Sequence, residues 1–227
     1  MIFGLTFPLY ALDHRNAAVA LVRWINAALQ IDTHLLPRLV FTAAAVLLAA
    51  AALLRTWASA YLHAGVVYAA GLKTDSLVAD GPYRQVRNPL YLANVIMAIG
   101  MGAMMSRTGC LVAVVAMLVV CYRLILREES ELRSSLGESY EDYRRSVPRL
   151  WPSLWPRIAS AGRQPEWADG FRAESWYWAF PVAVLAFAVT LSIAVFYAIL
   201  AAGLLWFWIS SWARARSGAS HRDGPAA

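Results

Sequence analysis

From residue 179 to residue 212 the chain runs for 34 residues without one Asp, Glu, Lys or Arg. At a rise of about 1.5 Å per residue a single helix of that length would extend roughly 51 Å. A bilayer's hydrocarbon core is only about 30 Å thick, so the block is expected to fold as two closely connected helices. Three further apolar blocks precede it. Residues 39–54 are uncharged and, beyond Arg55, continue through Trp57 and Tyr61 to Leu62. Residues 89–106 are broken only by Asn94, and residues 109–126 only by Arg123. The short link through Ser106, Arg107 and Thr108 to Gly109 makes the last two an antiparallel helical hairpin. The fold class expected is therefore all-α, a multi-pass transmembrane helical bundle.

Composition narrows the function classes. The chain is 60% hydrophobic and 15% charged, against about 25% charged in a soluble domain, which excludes intrinsic disorder. Cys110 and Cys121 both lie in apolar runs, so neither a disulfide framework nor a thiolate metal site is expected. The four histidines are scattered, none in an HExxH spacing, and no metal is expected. A formal charge of +6 from 19 arginines and Lys73 would suit nucleic acid, but many of the arginines sit at the ends of apolar blocks, where membrane proteins place them. Membrane lipids, not nucleic acid, are the expected surroundings. Nothing in the sequence fixes an oligomeric state.

The organisation expected is a membrane segment at 1–36, a core at 37–157, a polar connector at 158–175, and a second membrane block with a basic tail at 176–227. In the first part, Asp13 to Asn16 and Arg23 interrupt two apolar stretches, which fits either an interfacial amphipathic helix or a poorly formed span. A cleavable signal peptide is not expected, since no basic region precedes the first apolar stretch. The polar segments 64–88 and 127–175 face one compartment because the hairpin between them returns the chain. They hold eleven basic residues, against Arg107 alone in the opposite turn. That bias places both in the cytoplasm, with Arg214, Arg216 and Arg222 of the tail on the same side if the last block is a hairpin.

The chemistry-bearing residues lie in these two segments. Asp80 to Tyr91 reads as a Gly81-Pro82 turn, then Asn88 as a helix N-cap with Pro89 at the first helical position. The same geometry points free N–H groups at the polar side, flanked by Arg84 and Arg87, a ready site for a carboxylate or phosphate. The second segment continues the third helix through Arg127, Glu128, Glu129, Glu131 and Leu132 to Gly137, a C-terminal stop. Tyr140, Tyr143, Arg144, Arg145, Val147, Pro148 and Arg149 follow. Each feature has a structural reading: a cap at Asn88, an i,i+4 pair of Arg127 with Glu131, and an amphipathic helix at Tyr140 and Tyr143 lying on the bilayer.

Together the segments resemble the isoprenylcysteine carboxyl methyltransferase and phospholipid N-methyltransferase family of integral membrane enzymes. The resemblance covers about residues 55–152. It rests on Gly-Pro-Tyr-Arg-x-x-Arg-Asn-Pro-x-Tyr at 81–91, the short hairpin, Glu-Glu-x-x-Leu at 128–132, Gly137, the Tyr140 and Tyr143 pair, and Val147-Pro148-Arg149. It implies a cytoplasmic-edge site for S-adenosylmethionine and a lipidic or small amphiphilic methyl acceptor, a carboxylate, amine or thiol. By the same resemblance Tyr83, Arg87, Asn88, Pro89, Tyr91, Glu128 and Glu129 fall on cofactor-binding positions, with Glu128, Glu129 and Arg149 in the catalytic set. Arg55, Tyr140, Tyr143 and Arg149 fall to the acceptor. Family members usually carry histidine where Asn88 stands; asparagine keeps hydrogen-bonding capacity but cannot titrate. Gly100-Met101-Gly102 lies inside an apolar helix and reads as close helix packing, not as a nucleotide-binding loop.

Arg55 and Arg123 interrupt apolar blocks, where a charge costs about 2.5–3.5 kcal/mol on insertion scales. Either could snorkel to headgroups, and Arg55 could instead line the joint cavity. Two other functions fit the same pattern: a sterol-reductase-like enzyme using NADPH, and a catalytically silent membrane protein that binds lipid or serves assembly.

Overall fold

The computed structural model describes residues 7–29, 35–62 and 78–220, with backbone alone at 7–8 and 213–220. Residues 63–77 with Lys73, and Arg222 in the tail, lie outside the described residues. The side chains of Arg214 and Arg216 lie outside them as well. No strand occurs among the described residues, and the architecture is the expected multi-pass helical bundle.

Eight helices are described: α1 (Ala17–Leu29), α2 (Leu36–Leu62), α3 (Pro89–Gly102), α4 (Arg107–Leu136), α5 (Glu138–Ser146), α6 (Trp167–Glu174), α7 (Ala179–Thr190) and α8 (Ile193–Ser220). Three are long and apolar enough to cross a membrane, Leu36–Leu62, Arg107–Leu136 and Ile193–Trp212. Helix α2 is the hub, packed by α1, α3, α6 and α7. Its inner face is almost all small, with Ala44, Ala45, Ala51, Ala52, Ala58 and Ala60 buried beside Leu48, and small residues let neighbouring backbones come close in a membrane. Two glycines complete those contacts. A Cβ at Gly100 of α3 would lie 2.7 Å from Leu48 Cγ, and one at Gly170 of α6 would lie 2.7 Å from the Thr56 carbonyl oxygen. The packing role expected for the Gly100 segment is thus present.

The 34-residue block does divide. Helix α7 stops at Thr190, Leu191 takes a left-handed conformation with φ of 52°, and α8 begins at Ile193. Gly203 of α8 lies against Ala179 at the start of α7, so the two helices run antiparallel. The α3–α4 hairpin also forms, with Ser106 capping α4 by accepting from the Gly109 N–H at 3.0 Å. The N-terminal residues clasp its tip: the Ala17 N–H donates to the Met105 carbonyl at 2.8 Å and the Arg107 N–H to the Arg15 carbonyl at 3.1 Å. Helix α1 has 13 residues, about 20 Å at the α-helical rise, which is short of a span.

Candidate functional site

At the other end of the hairpin Gly81–Arg84 forms a 3-10 turn, with Gly81 at φ of +58°, and the chain then enters α3 through Asn88 and Pro89. The strip from 148 to 158 runs beside this segment through backbone bonds. The Arg87 N–H donates to the Pro148 carbonyl at 2.9 Å, the Ser153 N–H to Gln85 at 2.9 Å, and the Arg157 N–H to Arg84 at 2.8 Å. Residues 84–87 and 148–157 of the two polar segments are therefore joined.

Glu129 is its centre. This carboxylate, 4% exposed on the inner side of α4, accepts from Arg149 Nη2 at 2.8 Å, from Arg149 Nε at 3.1 and 3.2 Å, and from Asn88 Nδ2 at 3.2 Å. Arg87 Nη2 stands 3.5 Å away. Asn88 Nδ2 also donates to the Arg149 carbonyl at 3.1 Å. The capping role expected for Asn88 is thus corrected: it occupies the N-cap position but makes no side-chain capping bond. Its amide is turned to Glu129 because a buried carboxylate binds an N–H donor more strongly than a neutral group does.

Arg149 extends outward, its Nη1 donating to the Tyr122 hydroxyl at 3.1 Å and its guanidinium 5.6 Å from that ring's centre. The bond to Glu129 raises its pKa further. Arg87 is the reverse case. Its side chain is 7% exposed, yet Nε and Nη1 are buried with no hydrogen-bond partner among the described residues. One helical position before Glu129, Glu128 is half-buried and accepts from the Tyr91 hydroxyl.

Tyr140 and Tyr143 face inward, packed with Val147, Leu132 and Leu136, so α5 does not lie on the bilayer through its tyrosines. The Tyr143 hydroxyl donates to the Tyr83 carbonyl at 2.8 Å. Burial, with a neighbouring tyrosine or glutamate adding to it, pushes the hydroxyls of Tyr83, Tyr140 and Tyr143 above the ordinary phenol range. All three therefore stay protonated, Tyr143 as a donor to the Tyr83 carbonyl and Tyr140 as a neighbour of Arg87. Of the residues singled out in the sequence, Arg87, Asn88, Glu129 and Arg149 meet directly, and Tyr83, Pro89, Tyr91, Glu128, Tyr140 and Tyr143 surround them.

Arg55 does not join them. Its Nε donates to Glu174 Oε2 at 2.6 Å, Nη2 to Glu174 Oε1 at 3.2 Å and Nη1 to Asn94 Oδ1 at 2.6 Å, with the guanidinium 3.9 Å above the Tyr177 ring. The snorkelling expectation is corrected: Arg55 is buried between α2, α3 and α6, because a buried carboxylate there satisfies it better than distant headgroups. Arg123, in contrast, is exposed on α4. Glu174, Ser59 and Tyr122 were not singled out in the sequence, and Asn94 only as the break in its apolar block. A usable signal existed for Glu174, since a lone arginine in an apolar block requires an acid, and Glu174 borders another block.

Among the described residues no group of three His, Cys, Asp or Glu side chains is placed to hold a metal. Residues 39–139 match the family described as phospholipid methyltransferase, so the resemblance seen in the sequence holds over that stretch. The match takes in Arg87, Asn88, Tyr91, Glu128 and Glu129 and stops before Tyr140, Tyr143 and Arg149. Two curated relatives are similar to the chain. One is the nickel-cobalt-cadmium resistance protein NccN of Alcaligenes xylosoxydans xylosoxydans, 35% identical over 89 residues, 39% of this chain and 41% of the relative. The other is the cobalt-zinc-cadmium resistance protein CzcN of Cupriavidus metallidurans, 30% identical over 88 residues, with the same shares of each chain. The chain thus spans about two-fifths of the length of the curated relatives it matches. No solved structure matches it.

Proposed function

Because residues 39–139 match the phospholipid methyltransferase family, we propose that this membrane protein transfers a methyl group from S-adenosylmethionine to a lipidic or small amphiphilic acceptor. The carrying observation is the cluster in which Arg87, Asn88 and Arg149, from two separate segments, converge on the buried Glu129 of α4. The donor set fits the cofactor. Arg87 Nε and Nη1, buried with no hydrogen-bond partner among the described residues, each suit a carboxylate oxygen, and they stand beside the positive end of α3. Glu128, reached by Tyr91 and only half-buried, suits the cofactor's amino group or ribose. Tyr83, Pro89 and Tyr91 offer the apolar and aromatic wall an adenosine needs. When bound, S-adenosylmethionine supplies an electrophilic methyl group on a sulfonium.

The roles of the chain's own residues follow. Glu129 offsets one of the two positive charges of Arg87 and Arg149 and holds both side chains in place. Arg149, the least buried of the three charged members, orients a carboxylate or phosphate on the acceptor. Glu128 takes the proton an amine acceptor must lose; a carboxylate or thiolate acceptor needs no base. Tyr140 and Tyr143 hold the Tyr83 segment in register. Alignment of a desolvated acceptor beside the methyl group provides most of the catalysis. The acceptor approaches laterally from the bilayer, and the basic bias of the site's segments supports a cytoplasmic face for it.

Calorimetry on the detergent-purified full chain tests the cofactor. S-adenosylhomocysteine should bind, NADPH should not, and Glu128→Ala should weaken binding about tenfold. Binding of NADPH alone would turn the assignment to a reductase, and binding of neither would leave a silent lipid-binding protein. Membranes incubated with methyl-labelled cofactor then give the acceptor as the labelled product. The names of the two relatives add a phenotype to score beside it, growth in nickel, cobalt and cadmium.

A further inference from the structure

At the hairpin tip, the end of the molecule away from Glu129, lies a cavity of about 390 Å³ lined by His14, Arg15, Asn16, Val19, Arg23 and Arg107, with Ala20 beside them. Arg107 and Glu129 stand 22 residues apart on α4, roughly 33 Å at the α-helical rise, so a chain with Glu129 at one headgroup layer places this cavity at the other.

The cavity is built, not a chance gathering of side chains. Asn16 accepts from the Val19 N–H at 3.0 Å and donates to the Ala103 carbonyl at 3.1 Å, fixing the start of α1 on the tip. The Arg15 carbonyl is held by the Arg107 N–H, and the Arg15 N–H donates to Asp13 at 3.1 Å. Asp13 also accepts from the Arg107 guanidinium at 3.2 Å and from the Thr108 N–H and hydroxyl. Asp13 therefore answers one of the three arginines. No carboxylate among the described residues pairs with the side chain of Arg15 or Arg23, which leaves a surplus of two positive charges around one concavity. The same short helix exposes Val19, Leu21 and Trp24, side chains suited to an acyl layer and its interface.

We propose that this cavity binds the headgroup phosphate of an anionic phospholipid in the leaflet opposite the Glu129 site. Arg15 and Arg23 supply forked donors to the phosphate oxygens, while Val19, Leu21 and Trp24 meet the acyl chains. A lipid so held ties α1 and the hairpin tip to the membrane surface. The proposal does not depend on methyl transfer.

Native mass spectrometry of the full chain, offered equal phosphatidylglycerol and phosphatidylcholine, tests it. The wild type should retain phosphatidylglycerol about tenfold over phosphatidylcholine. Arg15→Gln with Arg23→Gln should remove that preference, and Arg15→Lys with Arg23→Lys should keep most of it. Both positions are exposed, and unchanged thermal unfolding of the glutamine pair confirms its fold. Arg145→Gln, on the other polar end, should leave the preference intact. A preference that survives the glutamine pair, or that Arg145→Gln removes equally, overturns the site. Millimolar inorganic phosphate that displaces the lipid overturns the lipid assignment in favour of a soluble anion.

Discussion

Among the described residues two buried glutamates are paired with arginine, and they teach opposite lessons. Glu174 lies inside the bundle, and its cluster is closed: Arg55 binds it through two nitrogens, Ser59 donates to it at 2.7 Å, and Asn94 takes a further Arg55 nitrogen. Glu129 lies where the polar segments meet the bundle, and its cluster is open: Arg87 keeps two buried nitrogens, Nε and Nη1, without a partner among the described residues. A buried ion pair alone is therefore a poor marker of a site. A satisfied pair holds helices together, whereas a pair with donors left over has the capacity that the proposed function calls on.

The largest effect expected from that contrast is on stability. Glu174→Ala strands a buried guanidinium between three helices and should cost about 3–5 kcal/mol, read as thermal unfolding in detergent. Arg55→Met with Glu174→Met removes the charge altogether and should recover most of the loss. S-adenosylhomocysteine affinity of the folded double variant should stay within about threefold of wild type. Arg55→Lys, which cannot span Glu174 and Asn94 together, should fall between the two in stability. Loss of ligand affinity in the double variant with stability intact would return Arg55 to the cavity role that the sequence also allowed.

Glu129→Ala should show the mirror image. It frees Arg87, Asn88 and Arg149 at once, but Arg149 retains an outlet past Tyr122 toward solvent. Ligand affinity should drop by about 100-fold, with a smaller loss of stability than Glu174→Ala causes. Equal and opposite results for the two variants would invert the assignment of site and clamp.

The parts of this contrast that were legible in the sequence are the local ones. Four apolar blocks gave the bundle, and the length of the last gave its division, because bilayer thickness bounds a helix regardless of its neighbours. The break at Leu191 has no proline or glycine to mark it; Thr190 turns back to the Ala186 carbonyl and accepts from the Ser192 N–H. Arg87, Asn88, Glu129 and Arg149 were legible as members of a motif, yet their convergence was not, since Asn88 and Arg149 are brought together by a strip of backbone bonds with no side-chain pattern. Asn88 itself misled: a cap and an interior donor have the same sequence signature, and only the position of Glu129 decides between them. Arg55 called for an acid, but which one was not legible, as Glu174 lies 119 residues away.

The smallest effect expected lies at the edge of the open cluster and is set by pH. Asp80 is buried beside the 3-10 turn and latches the connector, accepting from the Ser160 hydroxyl at 2.6 Å and from the Ala161 and Arg163 N–H groups at 3.0 Å. Burial acts to raise this carboxyl, but those bonds and nearby Arg84 outweigh it and hold it below the usual carboxylate range. The unfolded chain thus takes up a proton more readily than the native one below about pH 4. The latch contributes its full stability above that point and loses it as the pH falls through the native value. Asp80→Asn should therefore lower the unfolding temperature most near neutrality and converge with wild type in acid. The bonds from Arg157 to Arg84, Ser153 to Gln85 and Arg87 to Pro148 lie between the latch and Glu129. Release of residues 160–163 should accordingly speed tryptic cleavage at Arg163 while ligand affinity changes by less than about threefold. A deficit of equal size at every pH would mean that Asp80 acts by shape and not by charge; a large loss of affinity would mean that the open cluster reaches as far as the connector.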